Sequence, residues 1–431
     1  YTLADACANP KNRELVVKSK TLSCVMRAVC TDDVAPKVLS AGLALVEIVV
    51  SHRDPAHVAH VCRDSAFLAR CLSQCDTYIQ SPTLNLEGAQ ATAHGCSILQ
   101  TIASGSMEDR PPVVDTAVMK LVDPVQRLLH LCSALVARSV VDERLLTSLL
   151  MQSTVGALAN LAQHPDLRLA FAARPPGIDG AARSGFVCRC LIDLLRIPIE
   201  CSLEWATVCG SALAALCNAC LEQPPVLDAL RQSDAVGVLL DALMRDTHVL
   251  TEVVAVRAAA LLARMAQDKA AMEAMSDVSV LAKLVAVWAA EGASDGVQDG
   301  LIRVIAAALE TPKHIVAFVS GSGLEAAARV YRAALGANGG KGPLPRASAL
   351  GNLGSALIVV AGPTQAKLQD RLLAAGLPDL LVQVLQRAPD GPVRKNTAVA
   401  LARMARHPPC RELLKAGRGM EILMSLGKSM V

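Results

Sequence analysis

Gly156-Ala-Leu-Ala-Asn-Leu-Ala162 is the stretch that decides the fold, because near copies of it return as Ala260-Leu-Leu-Ala-Arg-Met-Ala266 and Ala400-Leu-Ala-Arg-Met-Ala405. Each is a run of small and apolar residues interrupted by one polar residue just before its last apolar pair. Taken as a phase marker, that position recurs at Glu47, Thr101, Asn160, Asn218, Arg264, Ala307, Asn352 and Arg403, with gaps of 54, 59, 58, 46, 43, 45 and 51 residues. Gaps of roughly forty to fifty residues belong to repeats of two or three helices each. Such units stack, because each buries its apolar face only against its neighbours. The expectation is an all-α chain forming a right-handed α-solenoid of about eight repeats, with loop insertions in the wider early gaps.

The pattern within a unit gives the physical reason. From Val254, apolar residues fall at offsets 0, 4, 7, 8 and 11 (Val254, Ala258, Leu261, Leu262, Met265), and these share one face of a helix. Val297, Leu301, Val304, Ile305 and Ala308 repeat the series, as do Val393, Thr397, Ala400, Leu401 and Met404. Small residues at the middle offsets allow close helix approach. Polar breaks with proline follow: His164-Pro165, Gln223-Pro224-Pro225, Thr311-Pro312, Gly362-Pro363 and His407-Pro408-Pro409. Proline lacks an amide hydrogen and restricts the residue before it, so these read as helix stops.

Hydrophobic residues make up 52% of the chain and aromatics 2%, with little strand-type alternation. The 431 residues exceed one ordinary core, yet no change in composition divides them. They read as one repeat domain, with divergent repeats over 1–150, middle repeats over 151–335 and closing repeats over 346–431. Arg174 to Gly185 and Gly336 to Pro345, rich in glycine and proline, read as loops between repeats. No apolar run reaches the length of a bilayer crossing, so membrane insertion is not expected. Fifteen cysteines without a short secreted framework point to reduced thiols and a cytoplasmic location. The chain opens on Tyr1, which reads as part of a longer protein. Nucleic acid is an unpromising partner, since 42 basic residues face 39 acidic ones and stacking aromatics are scarce.

Chemistry-bearing motifs are thin. Cys217-x-x-Cys220 and Cys188-x-Cys190 lack a second pair at zinc spacing, and His52, His57, His60 and Cys62 cluster at a polar helix start where solvated side chains are the commoner outcome. Gly336 to Gly342 lacks the spacer and the Ser or Thr of a phosphate loop. No G-x-S-x-G or nucleophile-and-base arrangement stands out. The reading is a non-enzyme without cofactor or metal.

The outward edge of the last helix in each unit carries more information. Offsets 3, 6 and 10 read as facing out between core positions. They give Ser153, Gly156 and Asn160; Ser211, Ala214 and Asn218; Arg257, Ala260 and Arg264; Gly300, Arg303 and Ala307; Pro345, Ser348 and Asn352; and Asn396, Val399 and Arg403. From this column Asn160, Asn218, Arg257, Arg264, Arg303, Asn352, Asn396 and Arg403 are the expected protein-binding groove. They are suited to hold an extended peptide by its backbone or by acidic side chains.

Ala157-Leu-Ala-Asn-Leu-Ala162 and Ala349-Leu-Gly-Asn-Leu-Gly354 resemble the third-helix core of armadillo repeats. Lys395 to Ala405, Arg411 to Lys415 and Gly419 to Ser425 are similar, in addition, to the closing repeat of axonemal dynein-arm assembly factors that join a tetratricopeptide domain to an armadillo array. This narrower similarity covers the last eighty or so residues. It implies a scaffold or co-chaperone for protein clients such as dynein subunits, working with chaperones in the cytoplasm of ciliated cells. A myosin-directed chaperone of the UCS type, and a structural component of the axoneme or cytoskeleton, are the alternatives. The tetratricopeptide signature is absent. The groove tryptophan of nuclear-import adaptors is absent too, its positions being Gly156, Ala214 and Ser348.

Overall fold

A computed structural model describes residues 2–31, 33–80, 86–103, 144–172, 186–196, 203–244, 252–275, 277–290, 293–337, 344–362, 366–389, 391–416 and 419–429. Among these residues the regular elements are all helices, and the fold is an all-α solenoid. Seven of the eight phase markers lie in the closing third of their helices, whereas Asn352 is the sixth of fourteen residues in its own, where Val359 holds the equivalent place; together the markers occupy eight long helices. In chain order these are α1 (Pro36–Ser51), α2 (Leu86–Ala103), α3 (Arg144–Leu161), α4 (Leu203–Ala219), α5 (Glu252–Met265), α6 (Asp295–Ala308), α7 (Ala347–Val360) and α8 (Pro392–Met404). Two further helices precede each long one where the intervening chain is described, as with Lys269–Met275 and Val278–Ala289 before α6. The unit is therefore three helices.

The chain divides into two compact units, one of residues 1–238 and 248–254, the other of 239–247 and 255–431. In the first, α1 to α4 pack side by side in sequence order; in the second, α6, α7 and α8 do the same. Gly300 brings α6 against α5 closely enough that a Cβ there would lie 2.8 Å from that of Ala259. The proposed outward face is tight at that point, as it is at buried Gly156, where a Cβ would meet the Gln100 carboxamide.

The periodicity argument holds at side-chain level. All fifteen positions assigned to the core face from Val254, Val297 and Val393 are buried. The prolines act differently from the expectation. Pro165, Pro224, Pro312 and Pro408 each open the next helix rather than close the last one. Proline at the first helical position loses no intrahelical bond, and its fixed φ is already helical. Elsewhere acidic caps do this work: Asp54 Oδ1 accepts from the Ala56 amide at 2.9 Å and Asp277 Oδ1 from the Ser279 amide at 2.7 Å. Hydrogen bonding from Ser279 accordingly holds the Asp277 carboxyl below its usual range.

In the first wide gap, between Glu47 and Thr101, the described residues hold the helices Pro55–Cys62 and Ser65–Gln80 and the eighteen-residue α2. The gap is thus filled partly by longer helices. The expected loop Arg174 to Gly185, the Gly362-Pro363 break at its proline, and most of Gly336 to Pro345 lie outside the described residues.

Candidate protein-binding face

The eight phase markers share one environment: every one is half-buried. What their side chains do there differs. Asn160 donates through Nδ2 to the backbone oxygen of Gln100 on α2 (2.9 Å), and Asn218 through Nδ2 to that of Ala159 on α3 (3.0 Å). In the second unit Arg403 donates through Nη1 to Ile358 O on α7 (2.7 Å), and Asn396 through Nδ2 to Gly351 O (2.9 Å). Each joins its long helix to the preceding one.

Helix ends explain why the Ala159 and Ile358 carbonyls are open. The last carbonyls of an α-helix lack intrahelical donors. At the end of α3 the Gln163 amide turns to Asn160 O, so Ala159 O is left for Asn218. At the end of α7 the Gly362 amide turns to Val359 O, leaving Ile358 O for Arg403. A guanidinium adds favourable charge at a helix C-terminus. Arg168 caps in the same way, donating to Ala162 O, Gln163 O and Leu221 O.

The remaining members of the column stand otherwise. Arg303 is exposed and donates through Nη2 to Ser348 Oγ at 3.2 Å. Arg257 is half-buried. Asn352 is half-buried and makes no side-chain hydrogen bond among the described residues. Arg264 is half-buried with Nη1 sealed from solvent and without an acceptor. A buried donor without a partner is uncommon and costly.

Two features escaped the sequence reading. On α6, Asp295 and Asp299 point their carboxylates at Arg346, which lies just before α7 and also donates to Gln298 Oε1 at 3.1 Å. This part of the face is a neutralised clasp. Lys395, Val399 and Ala402 on α8 and Arg406 in the turn just after it are exposed. They stand at offsets 2, 6, 9 and 13, opposite the centre of the core stripe at 100° per residue. Offsets 3, 6 and 10 are centred roughly 70° away, which is why Asn396 and Arg403 meet the neighbouring helix. Averaging the core angles and taking the opposite direction finds Lys395 and Arg406.

The motif candidates have local partners. His60 Nε2 and Ser23 Oγ are 2.9 Å apart, His52 Nδ1 is bonded to Ile48 O, and the Cys188 and Cys220 thiols donate to Phe171 O and Cys217 O. Among the described residues no three metal-ligating side chains converge, and no disulfide is present. Burial pushes the Cys62 and Cys410 thiols up to about 11 and raises Cys71 and Cys188 further. No helix among the described residues is long and apolar enough to cross a membrane.

No protein-family model matches the chain, and no curated protein matches it. Among solved structures it is similar to an engineered protein whose crystal structure superposes over 99% of this chain and 89% of that one, with a TM-score of 0.71 at 19% identity. A designed armadillo repeat protein is matched over 78% of this chain and 99% of that one, with a TM-score of 0.42 at 18% identity.

Proposed function

We propose that this chain is a non-catalytic armadillo-type scaffold or co-chaperone that holds an extended protein client along the marker face of its long helices. The observation that carries the reading is the contrast within the column. Asn160, Asn218, Asn396 and Arg403 are tied to neighbouring helices, whereas half-buried Arg264 and Asn352 make no side-chain hydrogen bond among the described residues. A client carboxylate answers the first, and a client backbone, with its alternating donors and acceptors, answers the second. The tied asparagines keep a second N–H toward the face, so they contribute without giving up their staples.

The setting we propose is cytoplasmic assembly of axonemal dynein arms, supported by the likeness of the closing repeats to those of tetratricopeptide repeat protein 12. The myosin-directed and cytoskeletal readings share the same face. Affinity purification from ciliated cells, run in parallel with Arg264→Glu and Asn352→Ala, separates them. Soluble dynein chains with chaperones, lost in both variants, support the assembly role; myosin supports the UCS-type alternative, and partners confined to the detergent-extracted cytoskeleton the structural one. Partners retained at full yield by both variants refute the face itself.

A further inference from the structure

Positive charge gathers toward the end of the sequence. From Arg387 to Lys428 nine basic residues face three acidic ones, while the rest of the chain carries 33 basic against 36 acidic residues. Several of the nine are spent internally: Arg387 on Leu335 O, Arg403 on Ile358 O and Lys415 on Glu412. The side chains of Lys395, Arg406 and Arg411 are exposed and make no close ion pair or hydrogen bond among the described residues, though Arg411 lies near enough to Glu412 to favour its carboxylate. Two of these three, Lys395 and Arg406, bracket Val399 and Ala402 on the exposed stripe of α8, and Val399 is 37% exposed.

We propose that this stripe is a docking site for a short acidic segment of a partner protein, bound extended along α8. One carboxylate meets Lys395, an apolar side chain lies over Val399 and Ala402, and a second carboxylate meets Arg406. The helix fixes the spacing. Arg406 lies just past the end of α8, but Ala405 before it keeps helical backbone angles (φ −61°, ψ −14°), so eleven residues at about 1.5 Å each separate Lys395 from Arg406 by about 16 Å, which an extended chain rising about 3.3 Å per residue spans in five residues. Val399 lies about 6 Å along from Lys395, or two residues of an extended chain. The segment is therefore acidic, apolar two positions on, and acidic five positions on; read in the opposite direction, the apolar residue comes third. A protein fits better than the other polyanions. Nucleic acid wants an unbroken cationic track or stacking aromatics, and the stripe has an apolar centre in a chain with 2% aromatics. A membrane surface wants large protruding apolar groups, and Val399 and Ala402 are small. The inference rests on the scaffold reading only in taking a protein as the partner.

The test uses the full chain and a fluorescein-labelled twelve-residue peptide containing Glu-Ser-Leu-Ser-Ser-Glu, read by fluorescence anisotropy at low salt. Binding is expected to fall at least tenfold in Lys395→Glu/Arg406→Glu and to return when the two peptide glutamates become lysines. It should remain unchanged in Lys283→Glu, an exposed cation elsewhere, and fall when the glutamates are moved to a separation of eight. Circular dichroism checks folding, and Lys395→Gln/Arg406→Gln replaces the reversal variant if that one unfolds. Equal binding by the double variant overturns the proposal, as does indifference to the glutamate spacing. So does tighter binding of a single-stranded oligonucleotide or a phosphatidylserine vesicle through the same two residues. Arg264→Glu is measured with the same peptide: clients lost by that variant while the peptide still binds separate the long face from this stripe, so either fails without the other.

Discussion

Replacing Asn218 with alanine should destabilise the array where replacing Asn352 does not. Asn218 lies at the end of α4 and Asn352 in the first half of α7, and both are half-buried. Asn218 donates at 3.0 Å to Ala159 O, a carbonyl that its own helix end has released and whose residue is only 8% exposed. Losing such a bond costs about 1 kcal/mol net, and stranding the partner carbonyl raises this to about 1–2 kcal/mol. Both substitutions gain about 0.5 kcal/mol of helix propensity, so the difference between the variants isolates the bond. Asn352 has no bond to lose. Urea unfolding followed by circular dichroism gives the comparison. Hydrogen exchange on α3 and α4 localises it, because repeat arrays need not unfold as one unit. Asn218→Ala should be the less stable by about 1–2 kcal/mol, with faster exchange at the end of α3. Variants within about 0.3 kcal/mol of each other would refute the assignment of Asn218 as a staple between repeats.

Three further outcomes follow from burial. Tyr331 is fully buried and its hydroxyl has no partner among the described residues, so Tyr331→Phe should raise stability by about 1 kcal/mol; a loss in urea unfolding would reveal a partner for the hydroxyl. Leu262 is fully buried, and Leu262→Asp should cost at least about 3 kcal/mol by removing core volume and stranding a carboxylate, with near-wild-type melting counting against the core assignment. Burial disfavours the thiolates of Cys71 and Cys188, so at pH 7.5 iodoacetamide should label exposed Cys24 while those two react only on unfolding, and early labelling of Cys71 or Cys188 would contradict the packing.

The sequence by itself determined the helical repeats and the core stripes that begin at Val254, Val297 and Val393. Those properties are periodic along one helix, and a single helix writes its buried stripe in its own residues: Val393, Thr397, Ala400, Leu401 and Met404 are legible without any neighbour. It also marked Pro165, Pro224, Pro312 and Pro408 as boundaries, though not on which side the helix lies, since proline suits the start of one helix as well as the end of another. Only the tertiary structure decided what the marker column does. Whether Asn218 faces a client or a carbonyl depends on how α3 ends and how far α4 is rotated against it. A rotation of one residue moves a side chain by 100° while leaving the apolar spacing unchanged. That freedom separates Arg403, turned to Ile358 O, from Lys395 and Arg406, left in solvent. The Arg346 clasp on Asp295 and Asp299 joins residues some fifty positions apart that carry no shared pattern, and only the packing of α6 against α7 brings them together.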